Sequence, residues 1–254
     1  MGIEATVNAV NGASGKTDPV ISVDHLRVAY GQTVAVDSLS FSANLGEVLA
    51  ILGPNGAGKT TTVEALEGYR KPTSGTVSVL GLDPVRQHGL LAPHIGVMLQ
   101  QSGIYPTMNA RDALALFACF YAAPEDPASL ADLLGLGGVL KTAFRRLSGG
   151  EQRRLSLALA LIGKPEVVFL DEPTSGVDLE GRLVIREVIK GLRSRGCCVL
   201  LATHELDEAD RVADRVLVIS KGRLVAEGTP ADLKTEYSVD SLEDVFLAAT
   251  RSAP

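Results

Sequence analysis

The sequence predicts an α/β fold with a layered mixed sheet, and three observations carry that reading. Beyond residue 148, apolar strand-like runs alternate with helix-period segments, the pattern of helices packed against a sheet. A glycine-rich loop, "GPNGAGKT" at residues 53–60, sits between an apolar strand and a helical run. Several β-rich runs flank that loop, so the first part of the chain reads as a sheet wrapped around it.

Taken in order, residues 1–19 are rich in Gly, Ser, Asn and Thr without an apolar period, and are expected to form a flexible tail. "VISVDHLRVAY", "TVAVDSLSF" and "EVLAILG" follow as strands, and "GTVSVLG" is another after the loop. A helical insert is expected over about residues 104–150, where "NARDALALFACFYAA" and "ASLADLLGLGGVL" are parted by a proline-bearing break. A helix then runs to Ile162 with Leu155, Ala158, Leu159 and Ile162 on its apolar face, and Gly163-Lys164-Pro165 stops it. The strand "EVVFL", a helix near residues 182–193 and the strand "CCVLLAT" come next. "RVLVIS" and "RLVAEG", joined at Lys221-Gly222, form a hairpin.

With 254 residues, 46 % of them hydrophobic and 21 % charged, the chain can bury a real core. No apolar run approaches the roughly eighteen residues of a membrane helix, and the polar N-terminus lacks the apolar stretch of a secretory signal. A cytoplasmic location is therefore expected. The three cysteines, with Cys197 and Cys198 adjacent, have neither metal-site nor disulfide spacing. A net charge of -6 argues against nucleic acid as a partner, although a few N–H groups and one lysine suffice for a small anion.

Two segments end in Gly-Lys-Thr, and only one has the geometry of a phosphate loop. The form G-x-x-x-x-G-K-S/T needs its first glycine five positions before the second, so that the chain curls and aims successive N–H groups inward. In "GASGKT", at residues 12–17, that position is Val10, no strand precedes it and Asp18-Pro19 follows in place of a helix. In the second segment Gly53, Gly58, Lys59 and Thr60 are in register, "VLAIL" precedes them and a helix opens at Lys59. Lys59 would reach the β- and γ-phosphates, and the Thr60 hydroxyl would ligate Mg2+.

"EVVFLDEP" is a strand opening into two carboxylates, where α/β sheets place their chemistry. Phosphoryl transfer needs one acid to hold the metal, a role that suits Asp171, and another to orient or deprotonate the attacking water, which suits Glu172. In "LSGGEQRR", Ser148 can cap the following helix, and Ser148 with Glu151 has capping-box spacing. That leaves Gly149 and Gly150 unexplained, since each lowers helix propensity by about 1 kcal/mol. What they offer is close approach of backbone N–H groups to an anion.

These residues together resemble the nucleotide-binding subunit of an ABC transporter, over residues 20 to about 230. The resemblance rests on Walker A "GPNGAGKTT", the signature "LSGGE", Walker B "VVFLDE" and their order. It implies a P-loop NTPase ABC ATPase fold: a mixed sheet core, an antiparallel β subdomain and a helical insert, with residues 231–254 a short helical extension. Gly53, Pro54, Asn55, Gly56, Ala57, Gly58, Lys59, Thr60 and Thr61 would hold ATP. The resemblance makes Tyr30 the ring that stacks on adenine, Gln100 the glutamine-loop residue at the metal and water (with Gln101 beside it), "SGVD" the D-loop and His204 the switch that senses the γ-phosphate. Ser148, Gly149, Gly150 and Glu151 would contact a second copy's nucleotide. The family most often has Gln where this chain has Glu151; a carboxylate there would repel triphosphate unless it turns back to cap its own helix.

The family resemblance further implies a head-to-tail homodimer, with each ATP between one Walker A loop and the partner's signature. It also implies a separate membrane permease meeting residues 100–111, and hence a peripheral position on the inner face of the cell membrane. "SLEDVFLAAT" and "YPTMNARDAL" resemble drug and antibiotic exporters. A non-transport ABC ATPase would share the motifs. DNA-repair members, however, carry a long coiled coil between the nucleotide motifs, whereas here only about 90 residues separate Lys59 from Ser148, and ribosomal members usually have two cassettes. A nucleoside kinase would have no use for "LSGGE".

Overall fold

The computed structural model describes residues 18–98 and 103–251. The early Gly-Lys-Thr, most of the expected tail, Gln100 and Gln101 lie outside the described residues.

Strands with unbroken apolar runs end up in the middle of a sheet covered on both faces. β3 (Val48–Leu52), β6 (Val167–Asp171) and β7 (Cys198–Thr203) are buried at every position. With β5 (Ile95–Met98), β8 (Arg215–Ser220) and β9 (Arg223–Gly228) they form a six-stranded sheet of order β5-β6-β7-β3-β8-β9. It is parallel except for β9, which returns antiparallel to β8 as the expected hairpin, with Lys221 and Gly222 both at positive φ.

β1 (Ile21–Tyr30), β2 (Thr33–Ala43) and β4 (Ser74–Val79) form a separate antiparallel sheet of order β2-β1-β4. β3 is therefore not part of the sheet that its neighbours in sequence build. The buried residues of β1 are Ile21 and Val23, then Leu26 and Val28, a change of parity that no regular strand can show. A bulge at Asp24-His25, with His25 at φ 47, supplies the extra residue that turns the second pair back to the core.

Alternate residues of the large sheet feed different cores. Val168 and Leu170 of β6 join Val199 and Leu201 of β7 in the cluster beneath the helical insert. Val167 and Phe169, with Cys198, Leu200 and Ala202, fill the space between the two sheets. The first cluster also takes in α3 (Ala110–Ala118), α4 (Pro127–Leu133) and α5 (Gly149–Leu161). Both insert helices are shorter than the sequence patterns predict. After Ala118 the chain tightens into i−3 bonds ahead of Pro124, and Gly135, at φ 63, ends the second helix.

The apolar face expected for α5 is buried, and so are Leu157, Ala160 and Leu161. The helix lies between the insert and the sheet and has no wet side over those residues. Also present are α1 (Lys59–Leu66), the single turn α2 (His88–Leu91), α6 (Leu179–Ser194) and α7 (Leu206–Val212). The chain closes with α8 (Pro230–Tyr237) and α9 (Leu242–Arg251). Leu233, Leu242 and Val245 of these last helices pack with Ala50, Leu52, Val216 and Val218 of the sheet.

For the site, the decisive fact is strand register. Leu52 pairs with Thr203 and Asp171 with Ala202, so β3, β7 and β6 end side by side at their carboxyl ends. Phe169, fully buried at the centre of this arrangement, sets the scale of its stability. Phe169→Ala is expected to destabilise the fold by about 3–5 kcal/mol, read as a lowered urea midpoint.

Candidate nucleotide-binding site

The loop between β3 and α1 can close only because two of its positions have no side chain. A Cβ at Gly53 would stand 2.6 Å from the Ile219 carbonyl oxygen and 2.9 Å from the Ala57 Cβ. At Gly58 it would stand 2.5 Å from the Ala35 carbonyl oxygen, and the backbone there has φ +103. α1 starts immediately after, with no side chain capping its first turn, so its N–H groups point into the loop available to an anion.

Lys59 is buried, and its Nζ donates to the carbonyls of Gly53 at 2.7 Å and Pro54 at 3.3 Å. Burial lowers its pKa, while the carboxylates of Glu172 and Asp171 oppose that effect by favouring the charged form. A cleft of about 330 Å³ opens over the loop, lined by Ala35, Asn55, Gly56, Gly58, Lys59, Thr60, Thr61 and Glu172.

Thr60 Oγ1 donates to Asp171 Oδ2 at 3.1 Å, joining the first turn of α1 to the end of β6 across 111 residues of sequence. The other oxygen of this buried carboxylate, Oδ1, has no hydrogen-bond partner among the described residues. Burial raises the Asp171 pKa, with the Thr60 bond acting against it and Glu172 adding to it. A hydroxyl beside a carboxylate oxygen left open is an oxygen donor set that suits a hard divalent cation such as Mg2+. Nearby, burial first and then the charges of Asp171 and Glu64 push the Glu67 carboxyl up to about 8.

Glu172 follows in an unusual backbone state, φ 52, for a residue that is not glycine. Its N–H donates to the Ala202 carbonyl at 2.9 Å, and its side chain is held from two directions. The Thr203 hydroxyl donates to Oε2 at 3.2 Å, and His204 Nδ1 lies 2.8 Å from Oε1. Glu172 and His204, which sequence motifs assign to separate roles, are thus directly bonded.

Tyr30 is half-exposed, and its hydroxyl lies 3.4 Å from Thr61 Oγ1. The Arg70 guanidinium sits 4.8 Å from its ring centroid, and Glu64 holds Arg70 through Nε at 3.2 Å and Nη2 at 3.1 Å. Neither Arg70 nor Glu64 carries a sequence motif; the return of the chain after α1 brings Arg70 back to Glu64 within that helix and over Tyr30.

The signature residues stand elsewhere. None of Ser148, Gly149, Gly150 and Glu151 lines the cleft. The capping box is formed in both directions: Glu151 N–H donates to Ser148 Oγ at 3.2 Å, and Ser148 N–H donates to Glu151 Oε2 at 2.7 Å. A Cβ at Gly149 would come no nearer than 3.8 Å to Gly176 O, and one at Gly150 no nearer than 3.6 Å to Val177 Cγ1. Both are ordinary contacts, so the chain's own packing does not require glycine at either position. Gln100 lies outside the described residues.

A family model described as "ABC transporter" matches residues 36–175. The daunorubicin resistance ATP-binding protein DrrA3 of Streptomyces coeruleorubidus is 38 % identical over 237 residues, covering 91 % of this chain and 75 % of that protein. The Nod factor export ATP-binding protein I of Paraburkholderia xenovorans (strain LB400) is 38 % identical over 232 residues, 89 % of this chain and 76 % of that one. Among solved structures, an ATP-binding subunit of an ABC transporter superposes with a TM-score of 0.83 at 24 % identity, covering 91 % of this chain and 99 % of that one, a likeness of fold.

Two loop substitutions separate fold from binding. Lys59→Ala is expected to raise the Kd for ATP by at least about tenfold in a titration, with the fold kept and the melting temperature lowered modestly, because the Gly53 and Pro54 carbonyls lose their donor and the two buried carboxylates lose a neighbouring positive charge. Gly58→Ala is expected to lose both binding and melting temperature, because the Cβ meets backbone that cannot move aside.

Proposed function

Because the chain belongs to the ABC transporter family, whose ATP-binding subunits hydrolyse ATP, we propose that it is the ATPase of an exporter and acts as a homodimer beneath a separate membrane permease. One observation carries the reading: Lys59, Thr60 and Glu172 line one cleft, and Asp171 joins them through its bond to Thr60, at the carboxyl ends of two parallel strands, β3 and β6, that flank β7. In this reading the loop N–H groups and Lys59 hold the β- and γ-phosphates, and Tyr30 stacks on the adenine. Thr60 and Asp171 would hold Mg2+, which supplies positive charge to the phosphate oxygens. Glu172 accepts a proton from the water that attacks the γ-phosphorus, and ADP departs with the bridging oxygen. The bonds from Thr203 and His204 fix the direction in which that carboxylate points.

The dimer explains the signature glycines. Their N–H groups start a helix, their Cα atoms face nothing that needs them small, and they lie away from the chain's own cleft. A phosphate brought by a second copy is an occupant that would need such an approach. ATP bound between two copies then stabilises the dimer by mass action, and loss of the γ-phosphate releases it. With the Glu151 carboxylate tied to Ser148 N–H, its charge is directed back onto its own helix.

Among the described residues no helix is long and apolar enough to cross a membrane; in this reading the separate permease supplies the pathway for cargo. The relatives are named for daunorubicin resistance and Nod factor export, which supports export of a drug, antibiotic or other small hydrophobic compound. Tyr105 and Phe120, each more than two-thirds exposed on the helical insert, offer apolar contacts to a permease at the inner membrane face. A net charge of -6 gives no support to nucleic acid as a partner.

Glu172→Gln is expected to bind ATP with near-normal affinity, accumulate as a dimer on size exclusion with ATP and Mg2+, and lose turnover by about 10²-fold or more. Gly149→Ala and Gly150→Ala are expected to keep or raise the melting temperature, since alanine is favoured by about 1 kcal/mol in a helix. They should retain ATP binding by the monomer yet fail to dimerise. Normal dimerisation by both would remove the signature from the proposed interface.

A further inference from the structure

We propose that Arg182 is a positioning residue for hydrolysis: it clamps the turn at residues 176–178 to the chain following β7, and so fixes the orientation of the Glu172 carboxylate. The proposal rests on reading Glu172 as the base.

Arg182 lies in the first turn of α6 and divides its planar set of donors between two loops. Nε donates to the Val177 carbonyl at 2.9 Å. Nη1 and Nη2 donate to Glu205 Oε2 at 2.7 Å and Oε1 at 3.1 Å, a two-toothed pairing that sets direction as well as distance. Glu205 Oε2 also accepts from the Thr174 hydroxyl at 3.3 Å. From Glu205 the path runs on through its backbone N–H, which donates to Thr203 Oγ1 at 3.0 Å. Thr203 in turn donates to Glu172 Oε2 at 3.2 Å, and His204, next to Glu205, holds Oε1. A continuous chain of hydrogen bonds therefore leads from the Val177 carbonyl to the carboxylate.

The far end of this chain is equally placed. Val177 is the residue that a Cβ at Gly150 would touch, so the turn gripped by Arg182 also backs the start of α5. In this proposal Arg182 carries a disturbance at the signature helix to the Glu172 carboxylate, alongside the weaker Thr174–Glu205 bond. Neighbouring Arg186 provides a contrast. It pairs with Glu208 through Nε at 2.6 Å and through Nη2, ties α6 to α7 as well, and is bonded to neither loop. Arg182 approaches Glu208 only to 3.8 Å.

The test compares purified Arg182→Met, Arg182→Lys, Glu205→Gln, the Arg182→Met/Glu205→Gln double variant and Arg186→Met. Steady-state ATPase, ATP Kd and melting temperature are measured for each. Arg182→Met is expected to lower kcat about tenfold with KM and Kd within about twofold, because misplacing a reacting group slows chemistry without weakening binding. Lysine should recover only part of the loss, since one ammonium cannot serve both loops as the fork does. The double variant should be no slower than Arg182→Met, as expected of two residues on one path. Arg186→Met should lose melting temperature while keeping kcat. An unchanged kcat in Arg182→Met, or an equal kcat loss in Arg186→Met, would overturn the proposal while leaving an inactive Glu172→Gln as evidence for the base. Normal turnover by Glu172→Gln would overturn the base assignment and this proposal with it.

Discussion

The parallel register of β3, β7 and β6 is the constraint on which the rest of the molecule depends. It sets Leu52 beside Thr203 and Ala202 beside Asp171, and so delivers the glycine-rich loop, Asp171 and the His204-bearing segment to one end of the sheet. Residues from three distant stretches of sequence need no long loops to meet, because each has only to follow the end of a buried strand. The Thr60–Asp171 bond is the clearest product of that register. It spans the gap between α1 and β6 at a position where a one-residue slip would turn Asp171 to the opposite face.

Holding opposite charges in so dry a place shapes the site's electrostatics. Lys59, Asp171 and Glu172 are each less than a tenth exposed, and isolated charges at such depth are unfavourable by several kcal/mol. Each is paired or hydrogen-bonded: Lys59 to loop carbonyls, Asp171 to Thr60, Glu172 to Thr203 and His204. Glu172 also carries backbone strain, a left-handed φ that costs on the order of 1–3 kcal/mol outside glycine. The Ala202 carbonyl and the two side-chain bonds keep it there. What that strain provides is a carboxylate aimed into the cleft by the strand end itself.

Glycine serves two unlike purposes in this chain. Gly53 and Gly58 are demanded from within, since a methyl group at either would collide with backbone of another strand. Gly149 and Gly150 meet no such obstacle and weaken the helix they begin. A pair of glycines unneeded by the fold, at the N-terminus of a helix whose second half is buried, is intelligible as room left for something outside the chain. The capping box then keeps that helix start in place despite its low propensity.

Local chemistry was legible in the sequence because it depends on residues close together along the chain. The phosphate loop, the paired acids ending a strand, the Ser148–Glu151 box and the Lys221-Gly222 hairpin each follow from spacing within ten residues. The α/β class followed from alternating periodicity, and the family from motif order. The short strand β5 and the helices α2 and α7 are not legible in the sequence, having too few residues to show a period. Tertiary structure alone decided that β3 would leave its neighbours' sheet, that His204 would bond to Glu172, that Arg70 would lie over Tyr30 and that Arg182 would join two loops. The physical reason is common to all four. Each is a contact between segments distant in sequence, set by strand order and register, and those are fixed by how the whole chain buries its apolar faces rather than by any stretch of it.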